Sequence, residues 1–330
     1  MKRRPILVFL IVALFVVIPW ASESAFAVSV VPQVQDIVNQ VSQATYSYYL
    51  DDVLYTHLGD NRQWGPEHDL AQSNIYGEFE SFGLSTSLHP FEYGGSTYYN
   101  VVGAHYGTVR PDDIYILGAH YDSVNSPGAD DNASGTAGMM EAARVLSQYE
   151  FEATLIFIGF DREEQGLIGS GAYAQDHKDD DILGMISMDM ISYNSSGSDT
   201  ARIYGRDSSA PLKESLADAI SLYGNGLSSV DSGVIGLSDH EPFQDEGFQA
   251  CLLIEYDVWD NPNYHRSNDS VDMQNYIDYA FATNMVRSAV GFLATSAVPI
   301  FAAPTAQIPE PATFLLFSLG SLFLLRRRRP

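Results

Sequence analysis

With 330 residues, of which 45% are apolar, the chain is long enough for one large core, and 42 acidic against 17 basic residues give a formal net charge of −25. That balance excludes a nucleic-acid binder, since contact with phosphate relies on Lys and Arg. A single cysteine, Cys251, excludes an intramolecular disulfide framework, so stability must come from buried core.

Residues 1–27 open with Lys2, Arg3 and Arg4, continue in an apolar run and close on Ala25-Phe26-Ala27. A basic start, an apolar middle and a small-residue end make up a secretory signal peptide, which places the mature chain, from Val28, outside the cytoplasm. An uncleaved N-terminal anchor is the competing reading. Residues 31–53 have helix-like apolar spacing, and a second helix is expected over 67–82. LSTSLHPFEY and STYYNVVGAHY then alternate as paired strands.

From there the order is strand, loop, helix. DIYILGA precedes a helix over 133–146, ATLIFIGF one over 167–175, and GMISMDMI one over 211–222. QACLLIE adds a strand that buries Cys251, and 269–293 reads as a closing helix. This alternation predicts a single α/β domain over 28–295, a three-layer sandwich with a central mixed, largely parallel sheet. Ligands of such sheets gather at the carboxyl ends of the strands.

Residues 296–308 are an Ala/Pro-rich linker. Pro309-Glu310-Pro311, an apolar stretch over 312–325 and arginines 326–329 follow. The stretch is short for a span, which needs about 20 residues, and the arginines would stay on the cytoplasmic side. Tripeptide, short apolar stretch and arginines together resemble the PEP-CTERM sorting signal. The resemblance implies an exosortase-type processing enzyme as partner and transient membrane association through the tail, 309–330. A simple transmembrane tail anchor is the alternative. Seven basic and two acidic residues lie in the end segments, leaving 10 and 40 and a mature net charge of about −30, which favours solubility.

Five clusters bear metal-type side chains. They are His120-Tyr121-Asp122, GADDNASG with Asp131, DREEQG with Glu163 and Glu164, SMDM with Asp189, and YHRSND with His265. Zinc takes nitrogen and oxygen donors in low number. A His-x-Asp or a Glu pair alone is usually structural or solvated; five such clusters in one order are not.

With Pro127-Gly128, Ser134-Gly135, the GLIGS segment 166–170 and Ser238-Asp239-His240 as neighbours, residues 65–272 resemble the secreted bacterial co-catalytic zinc aminopeptidases. The resemblance implies two zinc ions per chain. His120 and Asp189 would hold one, Glu164 and His265 the other, and Asp131 both. Its neighbour Asp130 has the weaker claim. It further implies a cis peptide after Asp131, Asp122 orienting the His120 ring, and Glu163 as general base. Tyr264 would be an oxyanion donor, and peptides with a free N-terminus the substrates. A carboxypeptidase of the same superfamily stays open, because the metal centre does not tell which end of a peptide is held. Glutaminyl cyclases share the fold but generally lack a histidine at the first ligand position. A non-catalytic, surface-displayed binding protein would be expected to have lost ligands.

Overall fold

The computed structural model describes residues 29–301, so the signal peptide, most of the linker and the sorting tail lie outside the described residues. The N-terminal region folds as α1 (Pro32–Val38), α2 (Gln43–Tyr48), a π-helical turn over Tyr49–Val53, and α3 (Pro66–Ser81). The single helix expected over 31–53 is therefore broken. Ser42 takes extended geometry and accepts the Thr45 N–H at 3.3 Å, the capping role that suits serine better than a helix interior.

The hairpin β1 (Ser85–Tyr93) and β2 (Ser96–His105) leads into β3 (Arg110–His120), α4 (Gly135–Leu146), β4 (Glu150–Phe151), β5 (Ala153–Phe160) and α5 (Ile168–Asp176). Then come β6 (Ile182–Met188), β7 (Thr200–Tyr204), α6 (Ala210–Tyr223), β8 (Ser228–Asp231), α7 (His240–Asp245), β9 (Ala250–Glu255), α8 (Tyr279–Ala297) and β10 (Pro299–Ile300). Eight strands form one sheet in the order β1-β2-β5-β3-β6-β9-β7-β8. Its centre, β5-β3-β6-β9, is parallel, and the hairpin and the β7–β9 pairing are antiparallel. Every residue of β5 and β9 is buried, which is why both read as unbroken apolar runs rather than alternating ones.

Helices α1, α3, α4, α6 and α8 cover one face and share one apolar core with it, including Ile75, Met140, Leu216 and Val290. Helices α5 and α7 cover part of the other face, where Tyr173 and Phe243 pack on Ile116, Ile158 and Phe160. This is the predicted three-layer α/β sandwich. The closing helix starts ten residues later than expected, because residues 269–278 form a loop whose side chains bond elsewhere, and Asp278 caps α8 through the Phe281 N–H at 3.0 Å. α8 runs to Ala297, and β10 pairs with β4, so ordered elements continue past residue 295 into the stretch read as linker. Among the described residues no helix is long and apolar enough to cross a membrane.

Candidate metal centre

Parallel register aligns the strand ends at one edge of the sheet. His120, the last residue of β3, pairs with Phe160, the last of β5, and Met188 of β6 pairs with Leu253 of β9. Each strand hands over to a short loop there, and those loops carry the acids. His120 is buried, and its Nε2 lies 3.5 Å from Asp189 Oδ1, 3.6 Å from Asp131 Oδ1 and 3.9 Å from Glu163 Oε2. His265, on the loop after β9, places Nε2 at 3.1 Å from Asp131 Oδ2 and 3.3 Å from Glu164 Oε2. The two oxygens of Asp131 thus face two different imidazoles. Donor atoms of His120, Glu163 and Asp189, and of His120, Asp131 and Glu164, also fall within 4.8 Å of one another. Proximity alone therefore does not separate the sets, and Asp131 is the residue that reaches both imidazoles.

The surroundings hold these groups in place. Asp122 accepts the N–H of Glu163 at 3.2 Å and of Glu164 at 3.4 Å, one on each oxygen. The His120 Nδ1 lies 3.2 Å from the Asp122 carbonyl and 3.5 Å from its carboxylate, so the carbonyl is the nearer partner and the carboxylate serves mainly the glutamate pair. Asp130 turns away from the cluster, accepting from Ser192 and from Asn261 Nδ2. The Asp131–Asn132 peptide is cis, as the resemblance implies. Asn132 donates to the Met188 carbonyl and accepts from Gly135 and Met190, which ties the start of α4 to the end of β6. Gly135 permits that approach, since a Cβ there would lie 2.3 Å from the Met188 carbonyl oxygen.

Crowded acids in a buried site bind protons or cations. Burial, followed by the charge of Asp131, pushes Glu164 up to about 7. Burial also drives Glu163 well above the usual carboxylate range, with Asp239, Asp189 and Glu164 adding to it and His120 opposing. His265 rises to about 10 because Asp131 and Glu164 accept from it. Burial lowers His120, but Glu163 and Asp189 overcome that and hold it well above its ordinary value. Two oxygens of the cluster, Glu164 Oε1 and Asp189 Oδ1, are buried with no hydrogen-bond partner in the protein. Such orphaned acceptors cost free energy unless a donor or a cation meets them.

The model for peptidase family M28 matches residues 100–290, more than half of the sequence. The chain belongs to peptidase family M28. A PEP-CTERM protein-sorting motif matches residues 307–329. Aminopeptidase YwaD of Bacillus subtilis is 33% identical over 194 residues, covering 55% of this chain and 41% of its own length. The chain spans about half the length of the curated relatives it matches. An aminopeptidase from Aneurinibacillus sp. strain AM-1 aligns over 82% of this chain and 98% of its own, with a TM-score of 0.68 at 20% identity. A glutaminyl cyclase from Bacteroides thetaiotaomicron gives a TM-score of 0.64 at 19% identity, over 77% of this chain and 97% of its own. Likeness at these identities is a likeness of fold, and the fold does not separate hydrolysis from cyclisation.

Beside these acids lies a cleft whose apolar wall no sequence motif marks. Met190, Tyr204, Leu252, Ile254 and Val258 form a small apolar cluster of their own. With Trp259 and Ile235 they wall a cleft whose floor is Asp131, Glu163, Glu164 and Asp189. Roomier clefts lie elsewhere, beside Tyr193 and Tyr276 and beside β1, away from this cluster. Tyr264 borders the cleft, half-exposed, with its ring stacked on His265 at 3.9 Å between centroids. His240 is buried and bonds the Ile235 carbonyl, outside the donor set. His57, His68, His89 and His177 each pair with an aspartate, and His105 with the Tyr149 carbonyl, so none joins the cluster. Cys251 is buried in β9.

Two further acids lie in segments that the sequence reading quoted without giving them a role. Asp269 accepts the N–H groups of Asp130 and Asp131 at 2.7 and 3.1 Å and so fixes the backbone of the shared aspartate. Asp239 is fully buried, with burial first among the causes that raise it to about 7.

Proposed function

We propose that the chain is an exported aminopeptidase that holds two zinc ions, one on His120 and Asp189 and the other on Glu164 and His265, with Asp131 shared. The observation that carries this reading is the split of the Asp131 carboxylate between the two imidazoles. The unpartnered oxygens of Glu164 and Asp189 support it, as does a donor set of imidazole and carboxylate, which suits zinc. Cobalt or manganese would bind the same donors. When bound, the zinc ions acidify a water and polarise the scissile carbonyl.

The residues around them then have distinct tasks. Glu163 lies beside the donor atoms without being needed by either set. Its carboxylate accepts the proton of the attacking water and passes it to the departing amine. Asp122 fixes both glutamates through their N–H groups and sits behind His120. Tyr264 is placed to donate its phenol proton toward the developing oxyanion. The free amino group of the substrate is held near the carboxylates of Glu163 and Asp189. The apolar wall of Met190, Leu252, Ile254, Val258 and Trp259 takes a bulky apolar first side chain. The division of the chain follows the sequence reading: signal peptide 1–27, peptidase domain from 28, and a sorting tail from 309 that an exosortase-type enzyme removes during export.

The test is hydrolysis of aminoacyl-p-nitroanilides by the purified chain, with and without chelator and added zinc. Leucyl and phenylalanyl substrates should be cleaved, N-acetylated analogues should not, and chelator should abolish release until zinc is restored. Pyroglutamate from a glutaminyl substrate with no anilide cleavage would replace this reading with a cyclase. Release only of C-terminal residues from peptides would make the protein a carboxypeptidase.

A further inference from the structure

Arg62, Gln63 and Trp64 precede α3, outside the stretch that matches the family and with no side chain in the donor set, yet they grip both loops that carry it. Arg62 is fully buried. Its Nε donates to the Tyr121 carbonyl at 2.9 Å and its Nη2 to the Gly128 carbonyl at 2.8 Å, while Nη1 donates to the carbonyls of Pro127 and Tyr55. Its own N–H bonds Ser123 Oγ at 3.1 Å, and that hydroxyl donates to the Ser126 carbonyl at 2.7 Å. The loop joining His120 to Asp131 is therefore wrapped around one guanidinium. Gly128 lets it close: its φ is +59°, and a Cβ there would lie 2.3 Å from the Asp131 carbonyl oxygen and 3.1 Å from Arg62 Nη2.

The next two residues hold the other loop. The Gln63 carbonyl accepts from Arg162 Nη1 at 2.6 Å. The Trp64 ring covers one face of the Arg162 guanidinium at 4.2 Å, and Tyr98 covers the other at 4.1 Å. Arg162 immediately precedes Glu163 and Glu164 and has a φ of 62°, a conformation that needs support from its surroundings in a residue with a Cβ. A guanidinium over aromatic faces is held by the attraction of its charge to the ring quadrupoles. Arg62 stays charged even when buried, and a buried charge costs free energy unless its donors are met. Here they are met by main-chain carbonyls, so the side chain spends its bonds on loop geometry rather than on a carboxylate.

We propose that Arg62-Gln63-Trp64 is a positioning strap: Arg62 sets the spacing of His120 and Asp131, and Gln63 and Trp64 set Glu163-Glu164 through Arg162. The strap rests on the two-zinc reading and acts through geometry, since its positive charge would of itself repel a cation. Partners behind metal ligands of this kind are worth about 10–100-fold in metal affinity.

Zinc affinity by chelator competition, zinc stoichiometry and Tm would be measured on the purified chain and on Arg62→Lys, Arg62→Met and Trp64→Leu. Lysine keeps the charge but cannot gather the carbonyls, so both Arg62 variants are expected to bind zinc about 10-fold or more weakly. Trp64→Leu, at a half-exposed position, retains the fold and loses affinity at one of the two zinc ions. Arg110→Met, at the far end of β3 from His120, removes an equal charge and leaves affinity unchanged. Variants with lower Tm but zinc affinity within twofold of the parent would overturn the strap. If the Arg62 variants fail to fold, the same outcome for Trp64→Leu alone overturns it. A parent chain that binds fewer than two zinc ions would sink the two-zinc reading instead.

Discussion

The two imidazoles of the centre are held in opposite ways. His120 ends a central strand, is buried, and has its far ring nitrogen against Asp122. His265 lies on a loop, is 38% exposed, takes a φ of 54° and leans on the ring of Tyr264. Asp131 joins the two halves through one carboxylate. A ligand on a sheet edge is fixed by everything that fixes the sheet, whereas a loop ligand is fixed by its few local contacts. The His120 half is expected to be the preorganised, tighter site and the His265 half the one that loses its ion first.

The largest effect tests whether Glu163 stands outside both halves. Glu163→Gln should lower kcat by about 10²–10⁴-fold while two zinc ions remain bound, measured by steady-state kinetics and metal analysis. Loss of a zinc ion in that variant would break the division, because His120, Glu163 and Asp189 also lie close enough to form a set. The second effect separates the halves directly. His120→Ala leaves buried acids without their cation in the zinc-free protein and should cost about 3–5 kcal/mol of stability, whereas His265→Ala should cost far less. Chelator titration of the parent should withdraw its zinc in two stages, and His265→Ala should abolish the easier one. A single stage, or equal losses of stability, would show the halves to be equivalent.

The groups at the strand ends were the more legible. DIYILGA and ATLIFIGF announce buried strands by composition, and a strand end is where an α/β sheet presents its ligands, so His120 and the glutamate pair stand out in the sequence. GMISMDMI likewise put Asp189 at the end of β6. The exposed half depended on order and neighbours, because a loop residue such as His265 has no periodicity to mark it. The supports were the hardest to foresee. Asp269 sits far along the chain from Asp131, at the position read as the start of the closing helix. Arg62 drew no attention, since nothing local shows that carbonyls from residues 121–128 will surround it. The cleft wall combines β7 and β9 with three loops, and β7, short and beside a polar edge strand, was not read as a strand at all.

Tyr264 divides into two parts that the comparison treats differently. Its ring supports His265, and its hydroxyl would serve the reaction. Tyr264→Phe keeps the ring and should reduce kcat by about 10-fold or more without changing zinc stoichiometry or the order of zinc loss. Tyr264→Ala removes both and should also loosen the exposed zinc. Equal zinc binding in the two variants would mean that the stack does not hold the His265 ring.

The smallest effect concerns the far end of the His265 loop. Asp272 accepts from His57 Nδ1 at 3.0 Å and from the Leu58 N–H at 2.8 Å, tying that loop to the segment that leads into the strap. The bond to Asp272 raises His57 above its ordinary 6.5, so the contribution of His57 is full below 6.5 and is lost as pH rises through the elevated value. The Leu58 N–H and His57 lower Asp272 below its ordinary 3.8, so its contribution holds above 3.8 and is lost as pH falls through the depressed value. The pair therefore acts in the window between 3.8 and 6.5 and fades on both sides. Both groups are exposed, which screens the pair and keeps its effect small. His57→Gln should lower Tm slightly at pH 5.5 and not at pH 9, while the parent's Tm difference between those pH values narrows by the same amount. An equal loss at both would mean that the tether works through packing rather than charge, and that the exposed half of the centre is held without it.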